Sequence, residues 1–182
     1  GVVSKFHALS IDDLPNAALV ACADKAPQRA QTFAEQYACD AHDDLDEMLA
    51  RDDIDIVTVC TPSGAHLEPA IAAARAGKHV IVEKPLEITP ERCDAIINAC
   101  DDNKVQLAGI FPMRFTPGPK TLKAAIQAGR FGRITVGDAY NKWLRTQDYY
   151  DSGGWRGTWE LDGGGAVMNQ GVHAVDLIQW LM

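Results

Sequence analysis

From Ala18 to about Ile110 the sequence alternates short β-branched runs with longer helical patterns, and this alternation constrains the fold more than any other feature. ALVACA (18–23), IDIVTVC (54–60), HVIVEK (79–84) and VQLAGI (105–110) are continuous runs, not strictly alternating ones. Such runs suit strands buried on both faces of a parallel sheet. Helical stretches separate them at Ala26–Tyr37, Asp44–Ala50, Ala65–Ala76 and Pro90–Ala99. The punctuation agrees: Thr89 before Pro90 is an N-cap with proline at the first helical position, and Gly77 and Gly129 fall where a helix ends. A strand–helix–strand series of this kind predicts an α/β fold with a Rossmann-like doubly wound parallel sheet.

After Ile110 the character changes. A helix over Pro119–Ala128 leads into a long strand candidate, ITVGDAYNKWLRT (134–146). Six of the 13 aromatic residues (Tyr140, Trp143, Tyr149, Tyr150, Trp155, Trp159) lie within twenty residues, and three glycines follow at 163–165. A boundary near 111–118 divides the chain into a first domain, 1–112, and the start of a second α/β domain with an open sheet, 113–182. The sequence begins at Gly1 without an initiator methionine and stops at Met182 inside an apolar run, Val172–Met182. The expectation is a piece of a longer protein, with the first strand before Gly1 and most of the second domain after Met182.

Composition narrows the function. With 17 Lys plus Arg against 25 Asp plus Glu, the net charge is −8, and 47% of residues are hydrophobic. A chain this apolar is not disordered, and its acidic balance argues against nucleic-acid or membrane-surface partners, which need a clustered positive field. No apolar stretch approaches the length of a membrane span. The five cysteines are odd in number and form no CxxC pair. They read as buried free thiols of a cytoplasmic, reducing compartment, neither a disulfide framework nor a zinc site.

Four segments carry chemistry. Gly1 opens a helix-like run, and Asp24 closes the first complete strand. That is the spacing of a glycine turn that admits a pyrophosphate and an acid that binds the adenosine ribose. The same residues read equally as a surface turn and a strand-end aspartate. TPSGAH (61–66) lies at a strand's carboxyl end, where ligands bind in open α/β sheets; an ordinary loop with Ser63 as N-cap is the competing reading. EKP (83–85) places an ionisable pair at another carboxyl end, where a desolvated lysine can hold a hydroxyl or move a proton, or simply form a solvated ion pair. In GGGAVMNQGVHAVD (163–176), a helix would set Asn169, His173 and Asp176 on one face, giving a histidine with polar neighbours on either side. A structural histidine competes with that reading. A metal site is weaker still, since asparagine is a poor ligand and no second His or Cys completes the set.

Together these segments resemble the Gfo/Idh/MocA family, the glucose–fructose oxidoreductase and inositol dehydrogenase group. GVVSKFHA (1–8), Asp24, TPSGAH, AGKHVIVEKP (76–85), PMRF (112–115) and WRGTW-x-LDGGGAVMNQGVHAVD (155–176) carry the resemblance over nearly the whole chain. It implies an NAD(P)-dependent oxidoreductase with a nucleotide-binding domain and a second domain carrying the sugar site. Gly1 would be an inner glycine of the fingerprint, with Ser4 where a third small residue is common. Asp24 would bind the ribose and favour NAD, while Lys25 leaves NADP open. Thr61, Pro62, His66 and Glu83 would line the cofactor, Lys84 would touch nicotinamide and substrate, and Arg114 would lie near that junction.

His173 would accept the proton of the substrate hydroxyl. The commonest family pattern has Asp four residues before this histidine, where this chain has Asn169. Asn169 can orient the substrate or the imidazole but cannot raise its pKa as a carboxylate would, so the base is expected near its ordinary value, with Lys84 sharing the proton handling. Arg145, Tyr149, Tyr150, Trp155 and Arg156 suit stacking on a pyranose and pairing with an anion, or else the core of the second sheet. The resemblance points to a sugar, a uronate or a nucleotide sugar as substrate, and to a homodimer or homotetramer. Its alternatives are an NAD-dependent glycoside hydrolase and a non-catalytic sugar-sensing regulator.

Overall fold

The computed structural model describes residues 1–182. Five strands form, β1 (Ala21–Ala23), β2 (Asp40–His42), β3 (Ile56–Val59), β4 (His79–Val82) and β5 (Leu107–Gly109), and every pairing is parallel. β1 pairs with β2 in one sheet, and the order in the other is β3-β4-β5. No ladder joins the two sheets, yet they share a core: Val20 and Ala21 pack against the twelve-residue buried cluster that contains Val57, Val59, Val80 and Val82.

Each expected strand forms, shortened to three or four residues. The runs predicted burial on both faces, but β3 and β4 bury alternate residues, and Ile56 is 52% exposed. β2 escaped the sequence reading because Asp-Ala-His carries no apolar signal and owes its strand character to pairing with β1.

The helices are α1 (Val2–Asp12), α2 (Pro27–Tyr37), α3 (Leu45–Leu49), α4 (Leu67–Arg75) and α5 (Pro90–Asp102) in the first part. α6 (Pro117–Gln127), α7 (Gln147–Asp151) and α8 (Val172–Leu181) follow. Ala70, Ala73 and Ala74 are fully buried, and their small side chains let α4 lie close to the sheet and to Ile96 and Cys100 of α5. Thr89 caps α5 as expected, its Oγ1 accepting from the Arg92 N–H. α4 has no cap of its own; the buried Glu87 carboxylate accepts from the Leu67 N–H instead.

The second part departs from expectation over 134–146. This segment joins no ladder, and Val136, Tyr140 and Leu144 are 71%, 84% and 84% exposed. A β-branched pattern supplies strand propensity but not a partner; no second sheet forms for the aromatic residues to fill, and Tyr149 and Trp155 are half-buried while Tyr150 is 38% exposed. The first and second parts meet at two glycines. Gly64 donates to the Leu161 carbonyl at 2.8 Å, and a Cβ on it would stand 2.3 Å from the Glu160 carbonyl oxygen. Gly163 has φ +78°, and a Cβ there would meet Ile88 at 2.4 Å.

Candidate functional site

Parallel pairing places Thr61, Glu83 and Lys84 just past the carboxyl ends of β3 and β4, with Asp24 in the same position after β1. Gly1 caps the start of α1, where added side-chain atoms would meet nothing, and Ser4 Oγ donates to the Gly1 carbonyl at 2.8 Å. Asp24 caps its own turn, with Oδ1 accepting from the Ala26 N–H at 2.9 Å. Thr61 is exposed and donates to the Ala65 carbonyl.

Glu83 is anchored by a residue absent from the sequence-based set. His7 on α1 meets Glu83 Oε1 at 2.9 Å, and the second carboxylate oxygen accepts from the Lys84 N–H at 3.1 Å. The Cys60 side chain and Glu83 raise the His7 pKa well above the ordinary imidazole range. Burial works to raise the Glu83 carboxyl, but the hydrogen bonds from His7 and the Lys84 backbone outweigh it and hold it below its usual value. The signal in the sequence was His7 itself, three residues after Ser4, and it gained meaning only when the fold set it beside the end of β4.

The Lys84 ammonium donates to the Asn169 carbonyl at 2.7 Å and approaches Asn169 Oδ1 at 3.5 Å. Burial pushes its pKa down. Asn169 sits in a π-turn, Val167–Gly171, that runs directly into α8. Turns of this kind are frequent at functional sites. The π-turn breaks the regular spacing on which the sequence-based face rested. Asn169 bonds Asp162, Gln170 and Lys84, while Asp176 accepts a forked ion pair from Arg114. Neither residue hydrogen-bonds His173, so the expected polar flanking of the imidazole is corrected. His173 Nδ1 is buried with no protein partner. Burial first, and the Lys84 charge second, push the His173 pKa below its ordinary value, where the sequence had suggested a value near it.

Two expected cofactor contacts take other roles. His66 is 1% exposed, and its ring nitrogens face the Pro85 and Thr61 carbonyls, each at 3.0 Å. It braces the turns after β3 and β4 from inside and presents no free nitrogen. Arg114 grips Asp176 at 2.5–3.1 Å with its guanidinium near the Phe111 and Trp180 rings, which commits it to packing α8.

A cavity of about 410 Å³ adjoins Asn169, bounded also by Tyr149, Thr158, Asp162 and Gln170. Arg156 and Arg145 lie 4.2 and 5.3 Å from the Tyr149 ring, and Trp155 packs on Arg156 at 5.6 Å. Arg145 also donates to Gln170, whose amide donates to the Tyr149 hydroxyl. This wall is aromatic and cationic. The residues suit a dinucleotide: open N–H groups at the start of an eleven-residue helix and an acid after β1.

Comparison with known proteins agrees with this layout. Residues 1–111 match the oxidoreductase family with an NAD-binding Rossmann fold, and residues 120–182 match the GFO/IDH/MocA C-terminal domain. The chain is 36% identical to inositol 2-dehydrogenase of Rhizobium meliloti over 136 residues, covering 75% of this chain and 41% of that protein. It is 32% identical to 2,7-anhydro-N-acetylneuraminate hydratase of Mediterraneibacter gnavus, covering 86% and 41%. The crystal structure of the WlbA dehydrogenase from Bordetella pertussis in complex with NADH and UDP-GlcNAcA superposes with a TM-score of 0.92 at 38% identity, covering 100% of this chain and 53% of that one. The chain thus spans about half the length of these relatives.

Proposed function

The chain belongs to the Gfo/Idh/MocA oxidoreductase family, and on that premise we propose that the protein transfers hydride between a nicotinamide dinucleotide and a hydroxyl-bearing carbon of a sugar derivative. The observation that carries this reading is the contact of Lys84 with Asn169, which lines the cavity, together with a buried, unpartnered His173 Nδ1 that feels the Lys84 charge. We further propose the division into a nucleotide-binding unit, 1–112, and a substrate unit, 113–182, which the two family matches support.

Gly1 and Ser4 would face the pyrophosphate, Asp24 the ribose, and Thr61, Pro62, Glu83 and Lys84 the nicotinamide end. NAD is the cofactor assigned here, with NADP as the alternative through Lys25. When bound, the nicotinamide supplies the hydride acceptor or donor. His173, kept neutral by burial and by Lys84, accepts the hydroxyl proton, and Lys84 holds the oxygen from which it leaves. Asn169, which borders the cavity, fixes Lys84 through its backbone carbonyl. The Arg145–Tyr149–Arg156 stack suits a pyranose carrying an anion, so the substrate class is a uronate or nucleotide sugar, and the WlbA complex supports that choice.

A second reading has a specific support. The hydratase relative is named for a reaction without net redox change, as is the NAD-dependent glycoside hydrolase alternative, in which hydride is withdrawn and returned. A thermal-shift screen of the complete protein against NAD, NADP and a panel including UDP-GlcNAcA, followed by NADH absorbance, tests the dehydrogenase. An altered sugar without net NADH selects the second reading, and cofactor binding without turnover of any sugar selects a sensor. The five free thiols support a reducing, cytoplasmic compartment, and family membership a homodimer or homotetramer. No helix is long and apolar enough to cross a membrane.

A further inference from the structure

The Asn169 amide has one allowed orientation. A carboxylate only accepts and an ammonium only donates. Nδ2 must therefore face Asp162 Oδ1, at 2.5 Å, while Oδ1 faces Gln170 Nε2, at 3.0 Å, and Lys84 Nζ, at 3.5 Å. Asp162 is 2% exposed, and its second oxygen accepts from the Gly157 N–H at 2.8 Å, which locks the carboxylate. We propose that Asp162 is a positioning residue of this site: it clamps the Asn169 amide with its oxygen toward Lys84 and sets a buried negative charge one side chain behind it. The proposal rests on the reading of Lys84, Asn169 and His173 given above. It also accounts for how an asparagine serves beside a lysine: a buried carboxylate stands directly behind its amide.

The charges that act on Lys84 are Glu83 and Asp162, which favour its ammonium, and Arg145 and Arg156, which with burial oppose it; His173 in turn feels the Lys84 charge. Neutralising Asp162 therefore shifts Lys84 deprotonation to lower pH, an effect that a purely structural role would not produce. The test uses the complete protein and three variants, Asp162→Asn, the exchange Asp162→Asn/Asn169→Asp, and Lys84→Ala. Competitive acetylation of Lys84 across pH, read by peptide mass spectrometry, needs neither sugar nor cofactor. Asp162→Asn is expected to lower the Lys84 midpoint by about one pH unit and to cut kcat for NAD-dependent oxidation of UDP-GlcNAcA about 10- to 100-fold, the range for partners that orient a reactive ligand. The exchange keeps both hydrogen bond and charge, and is expected to restore both quantities. An unmoved Lys84 midpoint in folded Asp162→Asn overturns the proposal, as does an exchange variant as impaired as the single one. If Asp162→Asn does not fold, the exchange decides alone: a midpoint at or above the native one supports the proposal, and a lowered midpoint overturns it. Full turnover by Lys84→Ala would sink the reading of the site instead, leaving the acetylation result to judge Asp162.

Discussion

His7 Nε2 and Glu83 Oε1 stand 2.9 Å apart, joining the helix that opens the chain to the end of β4, with both side chains about 14% exposed or less. The bond stands one residue from Lys84, so the same contact holds α1 against β4 and fixes the backbone that aims the lysine.

Removing it in His7→Ala leaves a buried carboxylate without its partner, at a cost of about 2 kcal/mol. His7 has a raised pKa, so its contribution is complete below its unfolded value of 6.5 and is lost as pH rises toward about 10. Glu83 has a lowered pKa, so its contribution is complete above its unfolded value of 4.5 and is lost as pH falls below that. The melting-temperature gap between native protein and variant is expected to be widest between pH 4.5 and 6.5. A gap that keeps growing above pH 6.5 contradicts the assignment.

Lys84→Met takes a positive charge away from His173, so the imidazole is expected to titrate at higher pH than in the native protein. Nuclear magnetic resonance of the ring protons measures this without any turnover. His173→Ala is expected to retain dinucleotide affinity and lose turnover by about 10²- to 10⁴-fold, the usual share of a positioned proton acceptor.

Arg114→Ala strands Asp176, which is 9% exposed, and is expected to cost about 3 kcal/mol. NAD affinity, measured by titration calorimetry, is expected to stay within a few-fold of native. A selective loss of NAD affinity without loss of stability would return Arg114 to the cofactor.

Glycine substitutions separate close approach from mere flexibility. Gly64→Ala and Gly163→Ala drive a methyl group into Glu160 and Ile88, and each is expected to cost about 1–3 kcal/mol in chemical denaturation. Gly165→Ala, with open space around it, is expected to be near neutral.

Arg156→Gln is expected to raise KM for a uronate while leaving KM for the matching neutral sugar little changed, since the guanidinium stacked on Tyr149 is the element suited to an anion. Equal effects on both sugars would reduce Arg156 to a packing role.

The legible features were those written locally. Thr89–Pro90 announced α5, and the runs at 56–59 and 79–82 announced adjoining strands. β2 was hidden because its residues carry no apolar signal, and 134–146 misled because strand propensity does not supply a neighbour. Within the site, EKP and His173 were visible through their place at a strand end and in a motif. His7 and Asp162 were not, because each matters through a contact with a residue seven to seventy-six positions away.

The sequence by itself determined the alternation of strand and helix, the family and the placing of Lys84 beyond a strand, since these follow from local pattern and short motifs. Only the tertiary structure decided which polar side chains remained free. Arg114 and His66 found internal partners once α8 and the turns after β3 and β4 packed, while the His173 nitrogen found none. A buried polar atom takes whatever partner the fold brings within about 3 Å, and that choice is made between segments far apart in the chain, where no local pattern can record it.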